Sequence, residues 1–170
     1  MTTIQTVPEH RRYAEVTILK TIAWVGLLAG TLDILSAFIH VYIVRGTGPE
    51  TVLRFIASGA FGKAAFSGGW GMPVAGLLFH YIIAYSFTTL FFLLYPSIKI
   101  MAKSIVATAI VYGIFIYVVM NMVVLPLTRI PAITFQLDKA LLATGILIVA
   151  IGLPLSFFAR KFYLDRLEHR

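Results

Sequence analysis

Four long apolar runs alternate with shorter polar stretches along the chain: Thr21–Val44, Val74–Tyr95, Ile105–Leu125 and Ala140–Ala159. They hold 24, 22, 21 and 20 residues. A bilayer core about 30 Å thick takes roughly 20 helical residues to cross, so each run is long enough to span. The runs are continuous rather than alternating, which argues for helices over barrel strands. The expected fold is all-α: a polytopic integral membrane protein with four transmembrane helices in an antiparallel bundle. The expected organisation is an N-terminal segment 1–20, a single transmembrane domain 21–159 and a basic tail 160–170.

The connections differ in kind. Pro96–Ser104 and Pro126–Lys139 are short, which favours antiparallel neighbours. Pro96 and Pro126 follow directly on spans, where helices commonly stop, and Pro131 makes the third link a turn. The first connection, Arg45–Pro73, has 29 residues, which is long for a link between helices. Its middle, 49–66, carries apolar residues at helical spacing (52, 53, 55, 56 and 60) but is too short to cross. It is expected to be an interfacial or re-entrant helical segment, followed by a glycine-rich turn with Trp70 at headgroup depth. A surface helix that only fills the gap is the plainer alternative.

Composition sharpens the class. Of 170 residues, 59% are hydrophobic and 12% charged. Soluble domains run at about 45–50% apolar and about 25% charged. A soluble globular protein, a disordered chain and a coiled coil are thereby excluded. The absence of Cys excludes disulfides, thiolate metal sites, Cys nucleophiles and c-type haem attachment. The net charge of +7 suggests no nucleic-acid partner, because the basic residues sit at span ends, where they meet anionic headgroups.

The same charges orient the chain. The N-terminal segment, the second connection and the tail together carry nine Lys and Arg, against five on the opposite side. Both termini are therefore expected in the cytoplasm. The first run follows a 20-residue polar lead and has no small-residue cleavage site after it, so it is expected to remain as a span.

Within the spans, polar residues are few. Gly26 and Gly30 form a small-residue motif that lets helices approach closely. Gly30, Asp33, Ala37 and His40 continue that face by steps of three and four. Asp33 stands 11 residues from the outer end of its span, roughly 16 Å, which is near mid-membrane. An ionised carboxylate there is costly. Asp33 is either a proton- or cation-handling carboxyl or an acid hydrogen-bonded to Tyr, Ser or backbone that locks two helices; the second is the plainer account.

Counted from span ends, His40, His80, Asn121 and Thr144 all fall roughly 6–9 Å below the outer boundary, as one polar layer across four helices. Asp33, Tyr85 and Tyr117 form a second, deeper layer. Two His at one depth permit metal or bis-imidazole haem ligation, so His40 and His80 are the metal candidates; hydrogen bonding within the bundle is the simpler reading. No His-Glu-x-x-His, Gly-x-Ser-x-Gly or phosphate-loop signature is present, and Asp33 is the only carboxylate in a span, so no catalytic residue is expected. The 13 Phe, 8 Tyr and 2 Trp suit packing and interfacial belts.

Three strings carry a resemblance: Gly30-Thr31-Leu32-Asp33, Phe55-Ile56-Ala57-Ser58-Gly59-x-x-Gly62-Lys63-Ala64-Ala65-Phe66-x-Gly68-Gly69, and Val118-Val119-Met120-Asn121-x-Val123-Val124-x-Pro126-Leu127. They resemble small bacterial inner-membrane proteins of the YagU-like group, over most of Val25–Phe158. The resemblance implies a bacterial cytoplasmic membrane and four helices, but no activity and no cofactor. The expected function is non-enzymatic: a small membrane protein that assembles with itself or with a larger membrane complex. A proton- or ion-coupled permeation unit centred on Asp33, and a haem or metal carrier using His40 and His80, are the alternatives.

Overall fold

The computed structural model describes residues 9–98, 101, 103–130 and 135–168, with side chains described from 17 to 164 within these ranges. Residues 1–8, Lys99, Pro131 and Arg170, which entered the expectations above, lie outside the described residues. Among the described residues every regular element is helical, and four helices are long and apolar enough to cross a membrane. The protein is an all-α polytopic membrane protein.

Helix α1 (Glu9–Arg45) has 37 residues, about 55 Å of rise. No Gly or Pro falls between Glu9 and Val25, so the helix runs straight through the polar-to-apolar change expected to bound a separate N-terminal segment. It ends at Gly46, whose φ of 66° is open to glycine and whose N–H donates to the Tyr42 carbonyl at 2.9 Å. Helix α2 (Pro49–Phe61) starts with Pro at its first position, where a missing N–H costs nothing. It stops at Gly62, again at positive φ, 58°. The expected single segment 49–66 is thus broken: a short helix α3 (Ala64–Ser67) follows the turn.

Helix α4 (Gly71–Leu94) carries Pro73 in its first turn and closes with a 3₁₀ turn, Tyr95–Ser97, built on Pro96. Helix α5 (Ile105–Val119) is capped by the Ser104 hydroxyl, which accepts from the Ala107 N–H at 3.3 Å. It widens into a π segment, Met120–Val124, and stops in a 3₁₀ turn at Leu125–Leu127. The fourth crossing joins α6 (Leu137–Leu147), a π segment (Ile148–Gly152) and α7 (Leu153–Glu168). Pro154 would clash with the carbonyl four residues back in a regular helix. The wider π turn directly before it lets the chain continue, and the helix runs on through the segment expected to be a separate tail.

Successive crossings are antiparallel. Gly26 of α1 lies against Tyr85 and Thr88 of α4, and Gly30 against Tyr81 and Ala84. Gly113 of α5 lies against Ile148, and Gly152 against the Ala109 carbonyl. The α4 and α5 backbones stand further apart, with Phe87, Phe91, Tyr112 and Phe115 between them. The Tyr112 hydroxyl donates to the Phe87 carbonyl at 2.6 Å, and Tyr163 of α7 to Phe92 at 2.7 Å.

Burial is uneven along the bundle. The core joins Val25 and Ala29 to Phe91, Phe92, Tyr95, Met101, Tyr112, Ile116, Ile151 and Leu155. All of these lie toward the end that carries the chain termini. Toward the other end, no described side chain of α1 beyond Ile34 or of α5 beyond Ile116 is buried. The bundle is packed at its terminal end and open at its α2 end. Helix α2 leans across that open end: a Cβ on Gly76 of α4 would collide with the Leu53 carbonyl of α2, and the Arg129 N–H donates to Gly59 at 2.9 Å.

Candidate functional site: the polar seam between the first and fourth helices

The seam is built on missing side chains. A Cβ on Gly26 would stand 2.6 Å from the Tyr85 ring, and one on Gly30 3.1 Å from the Ala84 Cβ and 3.2 Å from the Tyr81 ring. The two glycines let α4 lie directly on the α1 backbone. That proximity puts the Gly30 carbonyl 2.8 Å from His80 Nε2 and the Ala23 carbonyl 3.0 Å from the Tyr85 hydroxyl. A carbonyl only accepts, so Nε2 carries the hydrogen and, in the neutral ring, Nδ1 holds the lone pair.

The remaining polar groups of the seam are engaged. Thr31 Oγ1 donates to the Leu27 carbonyl at 2.7 Å, which uses its one hydrogen. The 2.8 Å contact between Thr31 Oγ1 and the Tyr81 hydroxyl is therefore donated by Tyr81. Ser36 donates to the Leu32 carbonyl at 2.7 Å. The His80 ring meets Tyr81 edge-on, with centroids 5.4 Å apart.

Asp33 stands apart from this network. It is half-buried, within electrostatic reach of His80, and makes no hydrogen bond to any described residue. The Tyr and Ser groups expected to lock it are bonded to backbone or to Thr31 instead. On the adjoining face of α1, Ser36 lines an apolar groove of about 500 Å³ with Leu142, Ile146 and Val149. The arrangement offers a carboxyl group and, within electrostatic reach of it, an imidazole whose Nε2 is held by the Gly30 carbonyl, both in the spanning region. A carboxyl group in that setting can take up a proton or exchange it for a small cation.

The other expected site residues are not gathered here. His80 bonds the Gly30 carbonyl and lies within electrostatic reach of Asp33, so it belongs to the deeper layer and not to that of His40. His40 is half-buried and lies ten residues beyond Gly30, roughly 15 Å along α1. Two nitrogens on one tetrahedral zinc ion lie about 3.3 Å apart. The structure therefore does not join His40 and His80 as a ligand pair. Asn121 is exposed and donates back to the Tyr117 carbonyl of its own helix at 2.8 Å. Thr144 likewise bonds Ala140 at 2.8 Å. Tyr85 is part of the seam, whereas half-buried Tyr117 is not. Depth counted from span ends failed because it assumed that all helices end in one plane.

Two seam residues, Thr31 and Tyr81, were not singled out from the sequence. The signal for them was the four-residue spacing of Tyr81 and Tyr85, which matches that of Gly26 and Gly30 on the facing helix. Among the described residues, no three His or acidic groups cluster as a metal set. No protein-family model, curated protein or solved structure matches the chain.

Proposed function

We propose that the chain is a small, non-enzymatic membrane protein that moves a proton or small cation through its bilayer, with Asp33 as the carrier group and His80 as its partner. One observation carries this reading: Asp33, within electrostatic reach of His80, has no hydrogen-bond partner among the described residues, while every other polar side chain of the seam is bonded elsewhere. Ionisable groups inside membranes are expensive and are commonly retained for transport or coupling. Gly26 and Gly30, expected to serve close helix approach, lie against α4 of the same chain. Self-association, or association with a larger membrane complex, is part of the proposal because four helices enclose little room for a complete path. The proposed membrane is the bacterial cytoplasmic membrane, as the resemblance implies, and the proposed orientation has both termini inside, on the Lys and Arg distribution. Kinship with the YagU-like group is part of the proposal and rests on the three quoted strings.

The test is flux. Purified protein is placed in vesicles holding a pH-sensitive dye, and a proton gradient is imposed with and without a monovalent cation. The wild type dissipates the gradient faster than empty vesicles, and Asp33→Asn returns the rate to theirs. Equal rates for the wild type and Asp33→Asn overturn the proposal. Mass measured in mild detergent reads the assembly state in the same preparation.

A further inference from the structure

A second groove lies at the opposite, terminal end of the bundle, between α1 and α7. It encloses about 420 Å³ and is lined by Lys20, Thr21, Trp24 and Val25 from α1 and by Phe158 and Lys161 from α7, among others. Its chemistry is graded. Lys20 and Lys161 stand one or two residues outside the apolar runs of their helices, which begin at Thr21 and end at Ala159. Their ammonium groups therefore sit at headgroup depth. Both are exposed, and neither pairs with an acidic side chain among the described residues. Deeper in, Val25 is fully buried and Phe158 half-buried, so the floor is hydrocarbon. The Thr21 hydroxyl spends its hydrogen on the Thr17 carbonyl at 2.9 Å, which leaves the lysines as the cationic donors of the groove.

The geometry points to a binding site for an anionic phospholipid. Its phosphate lies between Lys20 and Lys161, and one acyl chain runs over Val25 and Phe158. Two cations at the rim select net negative charge over a zwitterionic headgroup. The hydrocarbon floor selects a phosphate that brings its own chain, so the occupant comes from the surrounding leaflet and not from solution. The site bridges the first and last crossings at the packed end. It is independent of Asp33 and His80, which lie further along the bundle.

The two tryptophans make the site directly readable. Trp24 lies in the groove, and Trp70 is in the connection at the other end, 79% exposed. In a Trp70→Phe background Trp24 is the only indole. That protein is placed in phosphatidylcholine vesicles containing a small fraction of acyl-brominated lipid, either phosphatidylglycerol or phosphatidylcholine. Brominated phosphatidylglycerol is expected to quench Trp24 as though enriched about thirtyfold over brominated phosphatidylcholine, the order expected from two near-surface lysines. Lys20→Gln combined with Lys161→Gln brings the two lipids to parity. Equal quenching by both lipids, or an excess that survives the double substitution, overturns the proposal. A Trp24→Phe protein, which reads Trp70 alone, shows no comparable excess. An equal excess there would reduce the effect to general attraction by the net charge of +7 and also overturn the site.

Discussion

Single glycines in this bundle differ in what lies over them, and that difference sets their cost of substitution. Gly26 is covered by the Tyr85 ring, 2.6 Å from where a Cβ would stand, whereas Gly145 of α6 has nothing within 4 Å. Gly26→Ala must push Tyr85 away and weaken its bond to Ala23, at a cost of about 1–3 kcal/mol. Gly145→Ala meets no atom and restricts the unfolded chain, so it is neutral or stabilising by about 0.4–1 kcal/mol. Unfolding midpoints in a mixed-detergent titration check the pair; equal midpoints would contradict the seam as described. The glycine motif was legible in the sequence, but its partner was not. A Gly-x-x-x-Gly stripe says that something comes close, and spacing alone does not say whether that is a helix of the same chain or of another. Asp33 is similar. Its cost in the bilayer follows from its type and depth, but only the packed structure shows that Tyr81, Tyr85 and Ser36 are committed elsewhere and that His80 is near.

At the scale of the element, α2 and the turn after it are held by one side chain. Arg54 Nε pairs with Glu50 at 2.8 Å, and its Nη1 donates to the carbonyls of Ala65 at 2.8 Å and Gly68 at 2.6 Å. Charge-assisted hydrogen bonds are about twice as strong as neutral ones. Arg54→Met therefore frees the turn, and amide exchange over 64–70 is expected to quicken by about tenfold while that of α4 beyond Ala84 is unchanged. Unaltered exchange over 64–70 would show that the clamp contributes nothing. Helical spacing made α2 legible. The break at Gly62 and the clamp were less so: Gly62 was one of several glycines in the stretch, and Arg54 looked like one more basic residue at a membrane surface. The π segments were not legible either. Pro154 within an apolar run signals a disturbance of the helix, but whether that is a kink, a stop or a wider turn depends on what packs beside it, here Gly113 and Ala109 of α5.

For the molecule as a whole, the uneven core predicts uneven dynamics. The terminal end is filled by Phe91, Phe92, Tyr112 and Leu155, while at the α2 end the described side chains of α1 and α5 are at most half-buried. Backbone amides at the packed end should exchange at the slowest rates in the protein. Those of 36–45 and 117–124 should exchange faster, because local opening there disrupts few buried contacts. Uniform protection along α1 would contradict this picture. An open half beside Asp33 and a closed half with a lipid groove at its rim divide the bundle into two regions of different chemistry.

What the sequence determined by itself was the class of solution. Four apolar runs of about 20 residues must become spanning helices, because a backbone in hydrocarbon has to satisfy its own hydrogen bonds. That requirement acts on each run separately and is written in its length and composition. Tertiary structure alone decided the stagger between runs. Where α4 slides along α1 depends on which aromatic ring rests on which glycine, so His80 came to rest beside Gly30 and Asp33 and not level with His40. Polarity along a chain records depth only if helix ends share a plane. Here packing, rather than the bilayer boundary, fixes the register.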